Sequence, residues 1–196
     1  IIVSDLYLTS ETKLNQFTHL SEFENKIEHD LRLLNSVLEF GAGYGSMTDM
    51  LRRINNSLTS YIVDFPEMLL LQSYYLSASY DPSEFNFISE KNIFKKEKKI
   101  NFIPINFVNS VNIEGVDLFI ATWSLSEANE LSNRIISEYL KFFDANFILY
   151  GYRKYNKINP RQPCSRRLAL DSSYSRVIDI PCFWSSGEHW YQFAKK

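Results

Sequence analysis

A chain of 196 residues that is 45% hydrophobic and 15% aromatic holds enough apolar material for one sizeable core, and is most simply one globular domain. Its net charge of -2 gives no general attraction to nucleic acid, so an anionic partner would have to be met by a local patch. Every apolar run is far shorter than the roughly 18 residues that a membrane span needs, which argues against a membrane partner.

Two cysteines, Cys164 and Cys182, are too few for a disulfide framework and lack the spacing of a zinc site, so reduced thiols and a cytoplasmic location are expected. The chain opens on Ile1 rather than Met, as a fragment or processed product would, and no signal peptide is evident. Residues 1–35 read as an N-terminal helical segment ahead of a domain at 36–196. From Glu11 to Leu34, Leu14, Phe17, Leu20, Phe23, Ile27, Leu31 and Leu34 recur at helical spacing, which predicts one or two helices over the edge of a sheet. His19 and His29 within it read as packing or surface histidines.

The stretch Val37-Leu38-Glu39-Phe40-Gly41-Ala42-Gly43-Tyr44-Gly45 is a short apolar run with one acid, ending in three alternate glycines. That pattern predicts a buried strand turning through a binding loop into a helix over roughly 46–55. Glycine lets the backbone take positive φ and lets a ligand reach the main chain, while the first N–H groups of the helix point at what is bound. A dinucleotide fingerprint, G-x-G-x-x-G, would place its third glycine where this chain has Ser46. The pattern here is E-x-G-x-G-x-G, and in it the chain resembles the class I S-adenosylmethionine-dependent methyltransferases. The resemblance implies that Gly41, Ala42, Gly43 and Tyr44 face the cofactor and that Glu39 lies near its methionine amino group.

Thr59 to Asp64 reads as the next strand, with Asp64 placed 23 residues beyond Gly41, where a βαβ unit sets a carboxylate against a ribose diol. Phe65 follows, then Pro66 and Glu67 open a helix rich in Leu69, Leu70, Leu71, Tyr74, Tyr75 and Leu76, a stripe that reads as core. The wording of 37–76, including the tyrosine after the second glycine, Asp-x-Pro and Gln-x-Tyr-Tyr-Leu, is similar to a narrower group, the bacterial sugar O-methyltransferases. Phe85 to Ser89 reads as a short strand, and Ile100 to Ile105 as the next full one. Many relatives hold the adenine amino group with an acid after that strand; here Asn106 and Phe107 stand in the matching place.

Val116 to Trp123 predicts a parallel buried strand carrying Thr122 at its end. Ser124-Leu125-Ser126-Glu127 fits a capping box for a helix running to about Phe143. Ala145 to Tyr150 is the next strand. A basic connection at 151–172, with Arg153, Lys154, Lys157, Arg161, Arg166 and Arg167, reads first as a solvated face and second as an overhang on the ligand crevice. Ser175 to Pro181 and His189 to Ala194 predict a terminal hairpin.

The expected architecture is thus a seven-stranded, mostly parallel α/β sheet of Rossmann-like methyltransferase type, with helices on both faces and the last strand antiparallel. The resemblance implies a cofactor, S-adenosylmethionine, and a hydroxyl acceptor on a sugar; the basic connection from Arg153 to Arg167, as an overhang on the crevice, would suit an anionic glycoconjugate. Glu127 and His189 are the candidate bases, and no metal set is evident. A nicotinamide oxidoreductase, a nucleic-acid amino-methyltransferase and a non-catalytic cofactor-binding module are the competing readings. The second is disfavoured because Thr122-Trp123-Ser124-Leu125 stands where an Asp/Asn-Pro-Pro-aromatic motif would be.

Overall fold

The computed structural model describes residues 2–4, 7–8, 10–90, 98–113, 115–154, 168–183, 185 and 187–196. In chain order, β1 (Ile2–Ser4) and β2 (Tyr7–Leu8) form a small antiparallel pair, and α1 (Glu11–Ile27) follows. Then come β3 (Ser36–Phe40), α2 (Ser46–Ile54), β4 (Thr59–Asp64), α3 (Pro66–Ser77), β5 (Phe85–Phe87) and β6 (Ile100–Pro104). The chain closes with β7 (Leu118–Thr122), α4 (Ser124–Glu127), α5 (Glu130–Arg134), β8 (Phe147–Arg153), β9 (Arg176–Pro181) and β10 (His189–Lys195).

The main sheet has the order β5-β6-β4-β3-β7-β8-β10-β9, in which β10 alone runs opposite to the other seven strands. It holds eight strands where seven were expected, because Phe85–Phe87, read as a short strand, pairs in parallel with β6 as an edge strand of its own. The added edge is fixed by aromatic packing: Phe87 stacks on Phe102 with centroids 4.7 Å apart, and Phe85 meets the same ring edge-on at 5.4 Å. Strand order reverses between β3, which pairs with β4 on one side, and β7 on the other. An open α/β sheet binds its ligands at such a point, outside the carboxyl ends of the strands.

Alternation along β3 divides the core. Val37 packs with α1 and α2 through Leu20, Phe23, Met47 and Leu51, while Leu38 and Phe40 face the opposite layer with Tyr61, Val63 and Phe119. Helix α1 is capped by Ser10, whose side chain accepts from the Lys13 N–H at 3.1 Å, and it stops where Glu28 turns left-handed at φ 57°. Leu31 and Leu34 therefore reach the core from a separate 3-10 turn, not from the helix.

The single helix expected from Ser124 to Phe143 is broken. Trp123, not Ser124, occupies the cap position, and it does so with φ 65° and no side-chain cap; the Ser124 hydroxyl instead donates to the Phe40 carbonyl. α4 ends at Glu127, and Asn129 caps α5, which passes into a π turn over Ile135–Tyr139. Lys141 to Asp144 are all left-handed, a bend that turns both Phe142 and Phe143 inward against Phe119 at centroid distances of 5.5 and 6.4 Å. The left-handed bend places both adjacent rings in the core, and burying two phenylalanine side chains offsets the lost helical hydrogen bonds.

Candidate functional site

Beyond the carboxyl ends of β3 and β7 lies a cavity of about 420 Å³. Thr12, Asn15 and Gln16 of α1 form one wall; Glu39, Gly41, Ala42, Gly43 and Tyr44 form the floor; Thr122, Trp123 and Glu127 come from the end of β7; Arg153 and His189 close the far side.

The glycines do different work. Gly41, at φ 72°, donates its N–H to the Val63 carbonyl at 2.9 Å, and a Cβ there would sit 2.2 Å from Ser124 Cβ, so side-chain absence is what lets β3 and α4 meet. Gly43, at φ 59°, is the reverse case: a Cβ there would meet no protein atom within 4 Å, because that side of the loop is open. Gly45, at φ 92°, caps α2 without a side chain. At the place of a third dinucleotide glycine, Ser46 is wholly buried and donates to Gln16, tying α2 to α1.

Glu39 is 3% exposed and accepts from the Thr48 hydroxyl at 2.7 Å. Burial drives its pKa up to about 7, against the opposing pull of Thr48. Asp64 stands across the loop. Its Oδ1 accepts from the Phe65 N–H at 2.8 Å, and its Oδ2 from the Gln72 amide at 2.7 Å; burial raises its pKa and these bonds oppose the rise. The same Gln72 amide donates to the Gly43 carbonyl at 3.0 Å, so one buried side chain on α3 fixes the loop and the carboxylate together.

On the far side, Glu127 is exposed at the end of α4, with its N–H bonded to the Trp123 carbonyl at 2.9 Å. The Trp123 indole N–H donates to His189 Nδ1. His189 stands opposite Arg153 in the β8–β10 register, and burial followed by the Arg153 charge lowers its pKa. Behind Trp123, at a ring distance of 4.9 Å, lies His19, which is 1% exposed, bonded through Nδ1 to the Tyr191 hydroxyl and pushed down to a pKa of about 3 by burial.

The structure thus gathers Glu39, Gly41, Ala42, Gly43, Tyr44, Thr122, Glu127 and His189 around one space, with Asp64 adjoining through Gln72. It does not bring in the rest. Phe65 is 64% exposed, Asn106 is exposed on a 3-10 turn, and Phe107 packs partly against the core. The basic segment 155–167 and Cys164 lie outside the described residues; Cys182 is a buried free thiol. Sequence reasoning missed Thr12, Asn15, Gln16, Trp123 and Gln72 as site residues. Thr12, Asn15, Gln16 and His19 share one stripe of α1, but most other positions of that helix are polar too, so the stripe gave no signal of its own. Among the described residues no group of three His, Cys, Asp or Glu side chains is placed to hold a metal, and no helix is long and apolar enough to cross a membrane.

A parallel sheet with its switch point at β3/β7, a glycine loop after β3, a carboxylate at the tip of β4 and a final antiparallel strand make this a class I methyltransferase fold. No protein-family model matches the chain, and no curated protein matches it by sequence. Solved structures do match. A Klebsiella pneumoniae protein described as an O-methyltransferase superposes with a TM-score of 0.62 at 9% identity, covering 98% of this chain and 82% of its own. The mitomycin 7-O-methyltransferase MmcR gives 0.55 at 11% identity over 94% of this chain and 54% of its own; PigF, solved with S-adenosylhomocysteine, gives 0.54 at 13% over 93% and 56%. The chain therefore spans little more than half the length of MmcR and PigF.

Proposed function

We propose that the chain binds S-adenosylmethionine and transfers its methyl group to a hydroxyl of a polar small molecule, a sugar or anionic glycoconjugate. The observation that carries this reading is Glu39: a carboxylate buried in the cavity wall and pushed up to a pKa of about 7 is suited to a cation, and an α-ammonium group fits that need. Gly43 offers its open side to a ligand, and Asp64 has lone pairs left over for a ribose diol. A nicotinamide enzyme is disfavoured because Ser46 fills the third-glycine position with a buried hydroxyl bonded to α1.

When bound, the cofactor supplies a sulfonium-activated methyl group for in-line displacement. The residues then have to align the acceptor oxygen and, where useful, take its proton. Glu127 and His189 are the titratable groups on the acceptor side, and Thr12, Asn15 and Arg153 add the donors and acceptors that suit a hydroxylated, acidic molecule better than an apolar ring. Helix α1 serves as the wall over the cofactor through Thr12, Asn15 and Gln16, and a cytoplasmic setting suits the free Cys182. Methyl-labelled S-adenosylmethionine incubated with a panel of sugars and sugar phosphates tests the reading: label on a sugar hydroxyl supports it, and cofactor binding with no methylated acceptor makes the chain a binding module.

A further inference from the structure

We propose that Trp123 is a positioning residue whose indole N–H holds His189 in the tautomer protonated at Nε2, so that His189 meets the methyl acceptor as a hydrogen-bond donor and not as its base; the acceptor's part in this rests on the methyl-transfer reading above.

Trp123 follows β7 directly, with φ 65° and ψ -32°. A bulky residue in that region carries about 1–3 kcal/mol of backbone strain, which persists only where the surroundings impose it. What the strained turn achieves is a placement. The indole is set between two histidine rings, His19 at 4.9 Å and His189 at 5.4 Å. His19 is buried and bonded to the Tyr191 hydroxyl, so the ring behind the indole is held in place.

The chemistry of the contact is one-sided. An indole can donate a hydrogen bond but cannot accept one, so the His189 Nδ1 bonded to it must present a lone pair. Neutral imidazole carries a single N–H, which is therefore on Nε2. Burial and the Arg153 charge keep the ring neutral near pH 7. To act as a base, His189 would have to take a proton on Nδ1 and break its bond to Trp123. In the transfer, the acceptor oxygen forms its bond to the methyl carbon, the methyl–sulfur bond breaks with its electron pair left on sulfur, and the acceptor proton passes to the Glu127 carboxylate or to water.

The test is long-range 1H–15N correlation spectroscopy of histidine-labelled protein, with His189 assigned by its loss in His189→Gln. The expected spectrum has a bare, hydrogen-bonded Nδ1 and a protonated Nε2 for His189, and Trp123→Phe shifts that pattern. In turnover, His189→Ala should lose about a hundredfold, and His189→Gln, which keeps a donor near the Nε2 position, should recover at least about tenfold of it, whereas a base would be lost equally in both. A wild-type spectrum with the proton on Nδ1, or a glutamine variant as slow as the alanine one, overturns the proposal. The spectrum needs no acceptor, so a chain with the Nε2–H form that methylates nothing overturns the methyl-transfer reading and leaves the tautomer assignment standing.

Discussion

Glu39 makes a sharp demand, because burial penalises its charged form and the proposed cationic ligand would offset that penalty. Its folded pKa of about 7 lies above its ordinary 4.5, so it contributes stability fully below about pH 4.5 and loses that contribution as pH rises through about 7. Glu39→Gln keeps the bond to Thr48 and removes the buried charge. It should raise the stability of the ligand-free protein at pH 8 by up to about 3 kcal/mol in denaturant titration, while abolishing measurable cofactor binding. In the wild type, affinity should fall as pH drops below about 7, by up to about tenfold per unit, as the carboxylate gains its proton. Binding independent of pH between 5.5 and 8 would contradict this role. The glycines separate in the same way. Gly41→Ala forces a Cβ to within 2.2 Å of Ser124 and should prevent folding; Gly43→Ala should cost only about 1–2 kcal/mol of left-handed strain yet lose the cofactor, since its methyl group enters ligand space. Circular dichroism and a binding titration on both variants check the contrast.

Helix α3 carries the link between loop and carboxylate. Gln72→Leu removes both bonds of the amide, so Asp64→Ala and Gln72→Leu should not add: if each weakens S-adenosylhomocysteine binding by about 2 kcal/mol, the double variant should fall short of 4 kcal/mol by at least about 1. Strict additivity would mean that Gln72 does not act through Asp64. Much at this scale was legible in the sequence. β3, α2, β4 and the terminal hairpin fell within a residue or two of where periodicity, Pro66 and the glycines placed them, because each of those signals is local. The segment 124–144 was not legible, since its course goes with the burial of Phe142 and Phe143 together against Phe119, a tertiary matter. The capping-box pattern at Ser124 misled for a related reason: the hydroxyl found the Phe40 carbonyl, 84 residues away in sequence, before its own helix. Asn106 and Phe107 followed from a family pattern and not from their surroundings, which the structure shows to be solvent and core rather than the cavity.

For the whole molecule, the site exists because four parts distant in sequence meet at one strand-order reversal. α1 supplies a wall, β3 the loop, the end of β7 contributes Thr122, Trp123 and Glu127, and β8 with β10 the far side. A ligand that bridges them binds only the folded chain, so S-adenosylhomocysteine at about one hundred times its dissociation constant should add about 2.7 kcal/mol and raise Tm by roughly 5–10 °C. NAD at the same concentration should add nothing. The most direct measurement is calorimetric titration of the purified chain with S-adenosylmethionine, S-adenosylhomocysteine and NAD, repeated on Asp64→Ala. Saturable binding of the first two, none of NAD, and a loss of about 2–4 kcal/mol in the variant are expected; NAD binding by the wild type, or an Asp64→Ala affinity equal to that of the wild type, would overturn the S-adenosylmethionine assignment.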